Sequence, residues 1–258
     1  MTSNNTQIDL TGQVIVLTGG TRGIGRALAE HLAAAGADLA VLARNQDDLT
    51  RLHGELSSPE RISTHAVDIA DTQAIAPVFD EVLRQHGRID GLVNCAGINK
   101  VAPTIDYPLE QARQIFDVNV LGLLACCQLA ARAMPDGGSI VNIASLSSFV
   151  GQPERTAYVG SKAAVIGMTK SMAVEWGPLG IRVNAVAPGY IETDLTRGIM
   201  ASNPQYRDLV EARTPLRRFG QPDDLAGAVL FLLSSHSAFV SGAHICVDGG
   251  WLANGFMK

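Results

Sequence analysis

Aromatic residues make up only 5% of the chain, and basic residues do not outnumber acidic ones: 20 Lys+Arg stand against 25 Asp+Glu, a formal net charge of −5. Polyanion binding needs a basic face, and single-stranded nucleic acid needs aromatic stacking platforms. No nucleic-acid partner is therefore expected. Cysteine is equally sparse. Cys95, Cys126, Cys127 and Cys246 show neither CxxC spacing nor the density of a secreted disulfide scaffold, so they read as small buried hydrophobes in a reducing compartment, which points to a cytoplasmic protein. The six histidines are scattered, and no metal site is expected. Met1 to Asp9 is polar and lacks the basic and apolar regions of a secretory signal. No stretch of about 18 apolar residues is evident, so no membrane span is expected.

What the chain does have is apolar residues (47%) in a regular rhythm. Strand-like runs lie at Val14–Thr18, Asp38–Ala43, Ile62–Val67, Ile89–Asn94, Ser139–Ala144, Ile181–Ala187 and Ala243–Val247. Their continuous apolar character predicts burial on both faces, as in a parallel sheet. Helical segments alternate with them. Ile24, Leu28 and Leu32 form one apolar stripe over Gly23–Ala35, and Gln46–Leu56 and Thr72–His86 follow. Alternating β and α predicts an α/β, doubly wound parallel sheet of about seven strands with helices on both faces. No linker or repeat divides the chain, so residues 1–258 read as one domain. Arg155–Trp176 is a longer helix. The more polar excursion Glu192–Thr214 reads as a lid, at about 190–215.

Thr18-Gly19-Gly20-Thr21-Arg22-Gly23-Ile24-Gly25 joins the first strand to the first helix. A strand, a glycine turn and a helix N-terminus make a cradle for a pyrophosphate, because glycine lets backbone N–H groups approach the anion at the positive end of the helix dipole. The spacing of Gly19, Gly23 and Gly25 is TGxxxGxG, which resembles the short-chain dehydrogenase/reductase family and its Rossmann-type fold. The likeness continues in Asn94-Cys95-Ala96-Gly97 (NNAG in the family, with Cys95 in place of the second Asn), Asn119, Ser145, Tyr158 with Lys162 as YxxxK, and Pro188-Gly189. It extends from about Leu10 to Trp251.

The resemblance implies a nicotinamide dinucleotide on Gly19, Thr21, Arg22, Gly23 and Ile24 of the loop, on Asn94, Ala96 and Gly97, and on Pro188, Gly189, Ile191 and Thr193 beside the nicotinamide. It puts Asp68, with Ile69, at the adenine. NAD enzymes usually carry an acid at the end of the second strand. Here the strand ends Leu42-Ala43-Arg44, and Arg22 is a second cation. A guanidinium suits a 2′-phosphate, so NADP rather than NAD is the expected cofactor. Asp47 and Asp48 are explained by the dipole of the next helix.

Tyr158 and Lys162, at i and i+4, share a helix face. A cation beside the phenol favours the phenolate, so Lys162 is expected to lower the Tyr158 pKa and make it the general acid/base. By resemblance, Lys162 also binds the nicotinamide ribose, Asn119 holds a water that links Lys162 to solvent, and Ser145 donates to the substrate oxygen. Hydride transfer between the nicotinamide and a carbonyl or secondary alcohol follows. Ser147, Gln152 and Tyr190, with Ser145, are expected at the substrate. Arg197, Arg207, Arg213, Arg217 and Arg218 could form a basic rim for an anionic substrate or pair within the surface. An NAD-dependent sugar or polyol dehydrogenase of the same family is the alternative, and a non-catalytic nucleotide sensor a further one. The resemblance also implies a homotetramer.

Overall fold

The computed structural model describes residues 8–193, 196–198, 203 and 205–255. Seven parallel strands form one sheet in the order β3-β2-β1-β4-β5-β6-β7: β1 Val14–Thr18, β2 Asp38–Ala43, β3 Ile62–Ala66, β4 Gly91–Asn94, β5 Gly138–Ile143, β6 Ile181–Pro188 and β7 His244–Val247. The expected Rossmann-type architecture is thus present, with strand ends shifted by one or two residues. Ile89 and Asp90, for instance, precede β4, because pairing with β1 begins at Gly91 opposite Ile15.

All five residues of β1 are buried, as its unbroken apolar run requires. One face of the sheet carries α1 (Gly23–Ala34), α2 (Gln46–Glu55) and, near the C-terminus, a helix over Ala226–Leu233. Leu28, Leu32, Leu49, Leu52 and Val229 pack there. The opposite face carries α3 (Thr72–His86), α4 (Leu109–Phe116), α5 (Leu123–Arg132) and α6 (Thr156–Trp176), through Ile75, Phe79, Leu123, Cys126 and Val165. Asp71 caps α3 by accepting from Gln73 N and Ala74 N, and Gly87, at φ 78°, ends it in the left-handed turn that a helix stop favours.

Leu109–Arg132 is a continuous helical run of 24 residues, with a π-helical turn at Asp117–Gly122 between α4 and α5. By length and composition it is apolar enough to cross a membrane, contrary to the expectation that no such stretch exists. Half of its most apolar window is buried inside the fold, as in a core helix. Two of the cysteines also need qualification. Cys126 and Cys127 are buried, Cys95 is partly exposed, and Cys246 is exposed because β7 is the sheet edge.

At the opposite edge, Ser63 Oγ sits between two imidazoles, 2.9 Å from His65 Nε2 and 2.8 Å from His86 Nε2. Burial pushes both histidines below their ordinary pKa, against the charge of Glu81 on His65 and of Asp38 on His86. A depressed folded-state pKa means that unfolded imidazoles, at about 6.5, take up protons first. The stability from this pair is complete above about pH 6.5 and is lost as pH falls through the depressed values. Calorimetric Tm should fall more steeply between about pH 6.5 and 5 in the wild type than in His65→Gln/His86→Gln. Equal slopes would show that the pair does not titrate with folding.

Candidate active site

The chain winds outward from β1 to β3, then returns to place β4 on the other flank of β1, so the crevice opens at the carboxyl ends of β1 and β4. Thr18, fully buried at the end of β1, ties the two strand ends together: its Oγ1 accepts from Cys95 N and Ala96 N, both at 3.2 Å. Gly19 follows at φ 74°, and a Cβ there would lie 2.7 Å from Ala96 Cα. Thr18 is the threonine of the TGxxxGxG motif, which does not by itself tell that the side chain ties β1 to β4. Its position, the last inward residue before the glycine turn, is the feature that marks it.

Thr18→Val keeps the shape and removes the acceptor, leaving two N–H groups without it. Unfolding free energy should fall by about 1–3 kcal/mol in a urea titration. A fall below about 0.5 kcal/mol would show that the tie is not structural.

A cleft of about 780 Å³ runs from the loop after β2 to the segment after β6. At one end it is lined by Arg22, Arg44, Asp48, Asp68 and Ile69; Gly19, Thr21 and Ile24 form its floor, with Ala96 and Gly97 opposite. The start of α1 has neither a side-chain cap nor an acid in its first turn, so its N–H groups are available to an anion. Arg22 and Arg44 are exposed and make no ion pair among the described residues. Asp48, the acid of the first turn of α2 that lines the cleft, is paired with Arg51 at 2.7 Å. This donor set, a glycine cradle with two unpaired guanidiniums, fits a phosphorylated dinucleotide.

Pro188, Gly189, Ile191 and Thr193 line the cleft after β6. Thr193 N donates to Thr196 Oγ1 (2.7 Å), and Glu192 N donates to Gly220 O (2.8 Å), which fixes this segment. A Cβ on Gly23 would lie 3.4 Å from Thr193 Cγ2, so Gly23 serves as the meeting point of the two loops and does not line the cleft.

Asn94 is a correction. It is 2% exposed and absent from the cleft wall. Its Nδ2 donates to Asn142 Oδ1 (2.9 Å) on β5, and Asn142 Nδ2 donates to Thr169 Oγ1 (3.0 Å) on α6. The side chain faces the helix layer below the sheet, so it braces β4 against β5 and α6.

Ser145, Tyr158 and Lys162 converge on the other end of the cleft. Ser145 lies two residues beyond the end of β5, after the buried Ala144, and accepts from Ser147 N at 3.1 Å. Tyr158 and Lys162 stand one turn apart on α6, with Lys162 Nζ 5.9 Å from the phenol ring centroid. Lys162 is 5% exposed and donates to Ile143 O at 2.7 Å. Burial lowers its pKa to about 8. Burial also raises the Tyr158 pKa, against a hydrogen bond with Ser145 and the charge of Arg155. The expectation that Lys162 lowers the phenol is therefore not met in the polypeptide alone: loss of solvation dominates. Cys95, partly exposed in the wall nearby, has its thiol pushed up to about 12 by loss of solvation, against the charge of Lys162.

Asn119 lies in the π-helical turn, off the cleft wall. Its Oδ1 accepts from Ile98 N (2.8 Å), and its Nδ2 donates to Ile98 O (2.9 Å) and Ser161 Oγ (3.1 Å). The side chain is committed to fixing the loop after β4 over α6. Any relay to Lys162 has to run through what it positions.

Ser147, Gln152 and Tyr190 are in the cleft wall as expected, linked in a chain: Ser147 Oγ donates to Gln152 Oε1 (3.1 Å), and Gln152 Nε2 to Tyr190 OH (3.3 Å). Arg155, Tyr206 and Asn99 also line it and were not foreseen. The five arginines read as either a basic rim or surface pairs are engaged with partners at the surface. Arg197 and Arg207 pair with Glu192, Arg218 with Asp224, Arg217 donates to Ala212 O, and Arg213 stacks 4.1 Å from the Trp251 ring centroid. The expected lid at 190–215 includes positions 194–195, 199–202 and 204, which lie outside the described residues. Around them, a helix over Gln205–Arg213 brings Tyr206 within 6.2 Å of Tyr190, centroid to centroid.

A family described as enoyl-(acyl carrier protein) reductase matches residues 19–252. The chain is 40% identical over 247 residues to 2-dehydro-3-deoxy-D-gluconate 5-dehydrogenase of Bacillus subtilis, covering 95% of this chain and 96% of that one. It is 37% identical over 244 residues to a 3-oxoacyl-(acyl-carrier-protein) reductase of Thermotoga maritima, covering 93% and 98%. The crystal structure of a gluconate 5-dehydrogenase from Burkholderia cenocepacia in complex with NADP and tartrate superposes with a TM-score of 0.91 at 35% identity, covering 96% and 98%. On sequence and on fold, the chain belongs to the short-chain dehydrogenase/reductase family and is an oxidoreductase.

Proposed function

We propose that the protein is an NADP-dependent oxidoreductase that interconverts a secondary alcohol and a ketone, with Tyr158 as general acid/base. The observation that carries the cofactor preference is Arg44 after β2, which with Arg22 lines this end of the cleft and makes no ion pair among the described residues, while Asp48 is engaged by Arg51. Relatives named as sugar dehydrogenases, and a neighbouring structure with NADP, are consistent with it. The glycine loop and the start of α1 would hold the pyrophosphate, Arg22 and Arg44 the 2′-phosphate, Asp68 and Ile69 the adenine, and Pro188, Gly189, Ile191 and Thr193 the nicotinamide.

The cofactor supplies hydride donor and acceptor chemistry and, when oxidised, a positive charge near the phenol. Tyr158 OH gives its proton to the developing alkoxide in reduction and takes it back in oxidation. Ser145 donates a hydrogen bond to the same substrate oxygen. Lys162, anchored by Ile143 O, stabilises the phenolate when protonated and holds the nicotinamide ribose. Asn119 fixes the Ile98 loop that faces this pair. A homotetramer and a cytoplasmic location belong to the same reading; exposed Phe239 and Val174 support assembly.

The test is turnover of ketones, keto sugars and acyl thioesters with NADPH and NADH, followed at the nicotinamide absorbance. NADPH-linked reduction of at least one class is expected. A uniform preference for NADH favours the NAD-dependent sugar or polyol dehydrogenase instead.

A further inference from the structure

We infer that Arg155 is the substrate-selecting residue of this cleft and that the substrate is a hydroxy or keto acid whose carboxylate it binds. The inference rests on the alcohol–ketone reading of the site and adds the substrate class to it.

Charge in the cleft is divided. The only acids in its wall among the described residues, Asp48 and Asp68, are at the nucleotide end. The end that holds Tyr158 presents Arg155 and Lys162. Lys162 is buried and committed to Ile143 O, which leaves Arg155 as the cation that faces the substrate space. Arg155 makes no ion pair among the described residues, although this chain pairs most of the nearby arginines with acids. Its one contact at fixed distance is a long hydrogen bond from Nη1 to Gln152 Oε1 at 3.4 Å. It also meets Tyr206. A guanidinium carries five N–H donors in a planar fork, so most of its capacity is unspent.

The backbone aims it there. Glu154 adopts φ 62°, a left-handed conformation that non-glycine residues rarely take, and its carbonyl accepts from Ala102 N at 3.0 Å. Strain of this kind persists where the surroundings enforce it and clusters at ligand sites. The turn delivers Arg155 to the position just before α6, a helix with no side-chain cap and no acid in its first turn. Gln152, held by Ser147 Oγ and Tyr190 OH, then sets the guanidinium from the other side. Arg155 precedes Tyr158 by three residues, so both open onto one face of the helix start. Burial raises the phenols of Tyr158, Tyr190 and Tyr206, and the charge of Arg155 works against that rise in each, which places it centrally among them. A planar carboxylate matches this single fork, and the surrounding hydroxyl and amide groups suit the remaining hydroxyls of the acid.

Binding measured by titration calorimetry, on the full chain saturated with NADP+, separates this inference from the catalytic one. The probes are D-gluconate, the uncharged D-glucitol and the matching alditol phosphate. Wild-type protein should bind D-gluconate at least about tenfold more tightly than D-glucitol. R155Q should bring the two within about threefold of each other, and R155K should recover part of the preference. Unchanged NADP+ affinity in both variants certifies the fold. Equal affinity for both probes in the wild type, a preference that survives in R155Q, tightest binding of the phosphate, or D-gluconate binding weaker than roughly 10 mM overturns the assignment. NADPH-linked reduction of neutral ketones would stand in each of those cases. Conversely, full turnover in a Tyr158→Phe variant would remove the catalytic reading and leave the measured selectivity untouched.

Discussion

Tyr158→Phe is expected to lower kcat by about 10³-fold while NADP+ affinity stays within about twofold of wild type. Phenylalanine keeps the ring that packs beside Lys162 and removes only the proton donor and acceptor. A positioned acid/base contributes roughly 10²–10⁴-fold, and the buried phenol has no nearby replacement. Among the described residues, Ser145 is the hydroxyl that bonds to it. A serine hydroxyl is too weak an acid to donate fully at neutral pH, so it stabilises the oxygen without completing the transfer. The pH profile gives a second readout with opposite signs in the two directions. Oxidation needs the deprotonated phenol, so its kcat/KM rises with pH; reduction needs the protonated phenol, so its kcat/KM falls. Burial raises Tyr158 and lowers Lys162 to about 8, so the phenol inflection lies on the alkaline side of that of the lysine. The variant should lose the inflection assigned to the phenol. Activity near wild type, or an unaltered profile, would overturn the assignment.

Much of this was legible before the structure. Seven strand runs, each continuous in apolar residues, could only be satisfied by a sheet covered on both faces, and the glycine turn after the first of them fixed where the crevice opens. Ser145, Tyr158 and Lys162 were picked out by the family resemblance; the strand end before Ser145 and the shared helix face of Tyr158 and Lys162 agree with it but would not have selected them alone. Asn94 was misassigned although its orientation followed from strand parity. Leu92, two residues earlier, is buried in the layer under α3 and α6, and Asn94 shares its face. The choice between a rim and surface pairing of the arginines after β6 stayed open because sequence separation hides pairing: Glu192 lies fifteen residues from Arg207, and the ion pair exists only after the chain folds back. Arg155 was missed, and Thr18 was read only as the first residue of the glycine loop, for the same reason. Their roles depend on the left-handed turn at Glu154 and on the proximity of β1 to β4, neither of which leaves a local signature. The phenol pKa turned on solvation, which spacing alone does not report.

Arg44→Asp is expected to reverse the cofactor preference, lowering the NADPH/NADH ratio of kcat/KM by about 100-fold or more. Hydrogen bonds to charged groups contribute about 1.5–3 kcal/mol each, so loss of one guanidinium–phosphate contact alone gives roughly 10- to 150-fold. The introduced carboxylate adds repulsion toward the 2′-phosphate and, for NADH, an acceptor for the ribose hydroxyls. The site permits the exchange sterically. Arg44 is exposed, follows the last residue of β2 and bonds to no neighbour that would be orphaned. Asn45 caps α2 through Asp48 N, independently of the Arg44 side chain, so the helix should survive and the Tm should stay close to that of the wild type. Arg22→Ala should produce a smaller fall in the same ratio, since it removes a cation without supplying an acid, and the two effects should couple in a double-mutant cycle because they act on one phosphate. Ionic strength separates this reading from a general field effect. A direct phosphate clamp keeps most of its selectivity when salt is raised, whereas long-range attraction from two exposed arginines is screened within about 10 Å at 0.1 M. An NADPH/NADH ratio that is unchanged in Arg44→Asp, measured at either salt, would refute Arg44 as the reader of the 2′-phosphate and favour NAD as the working cofactor.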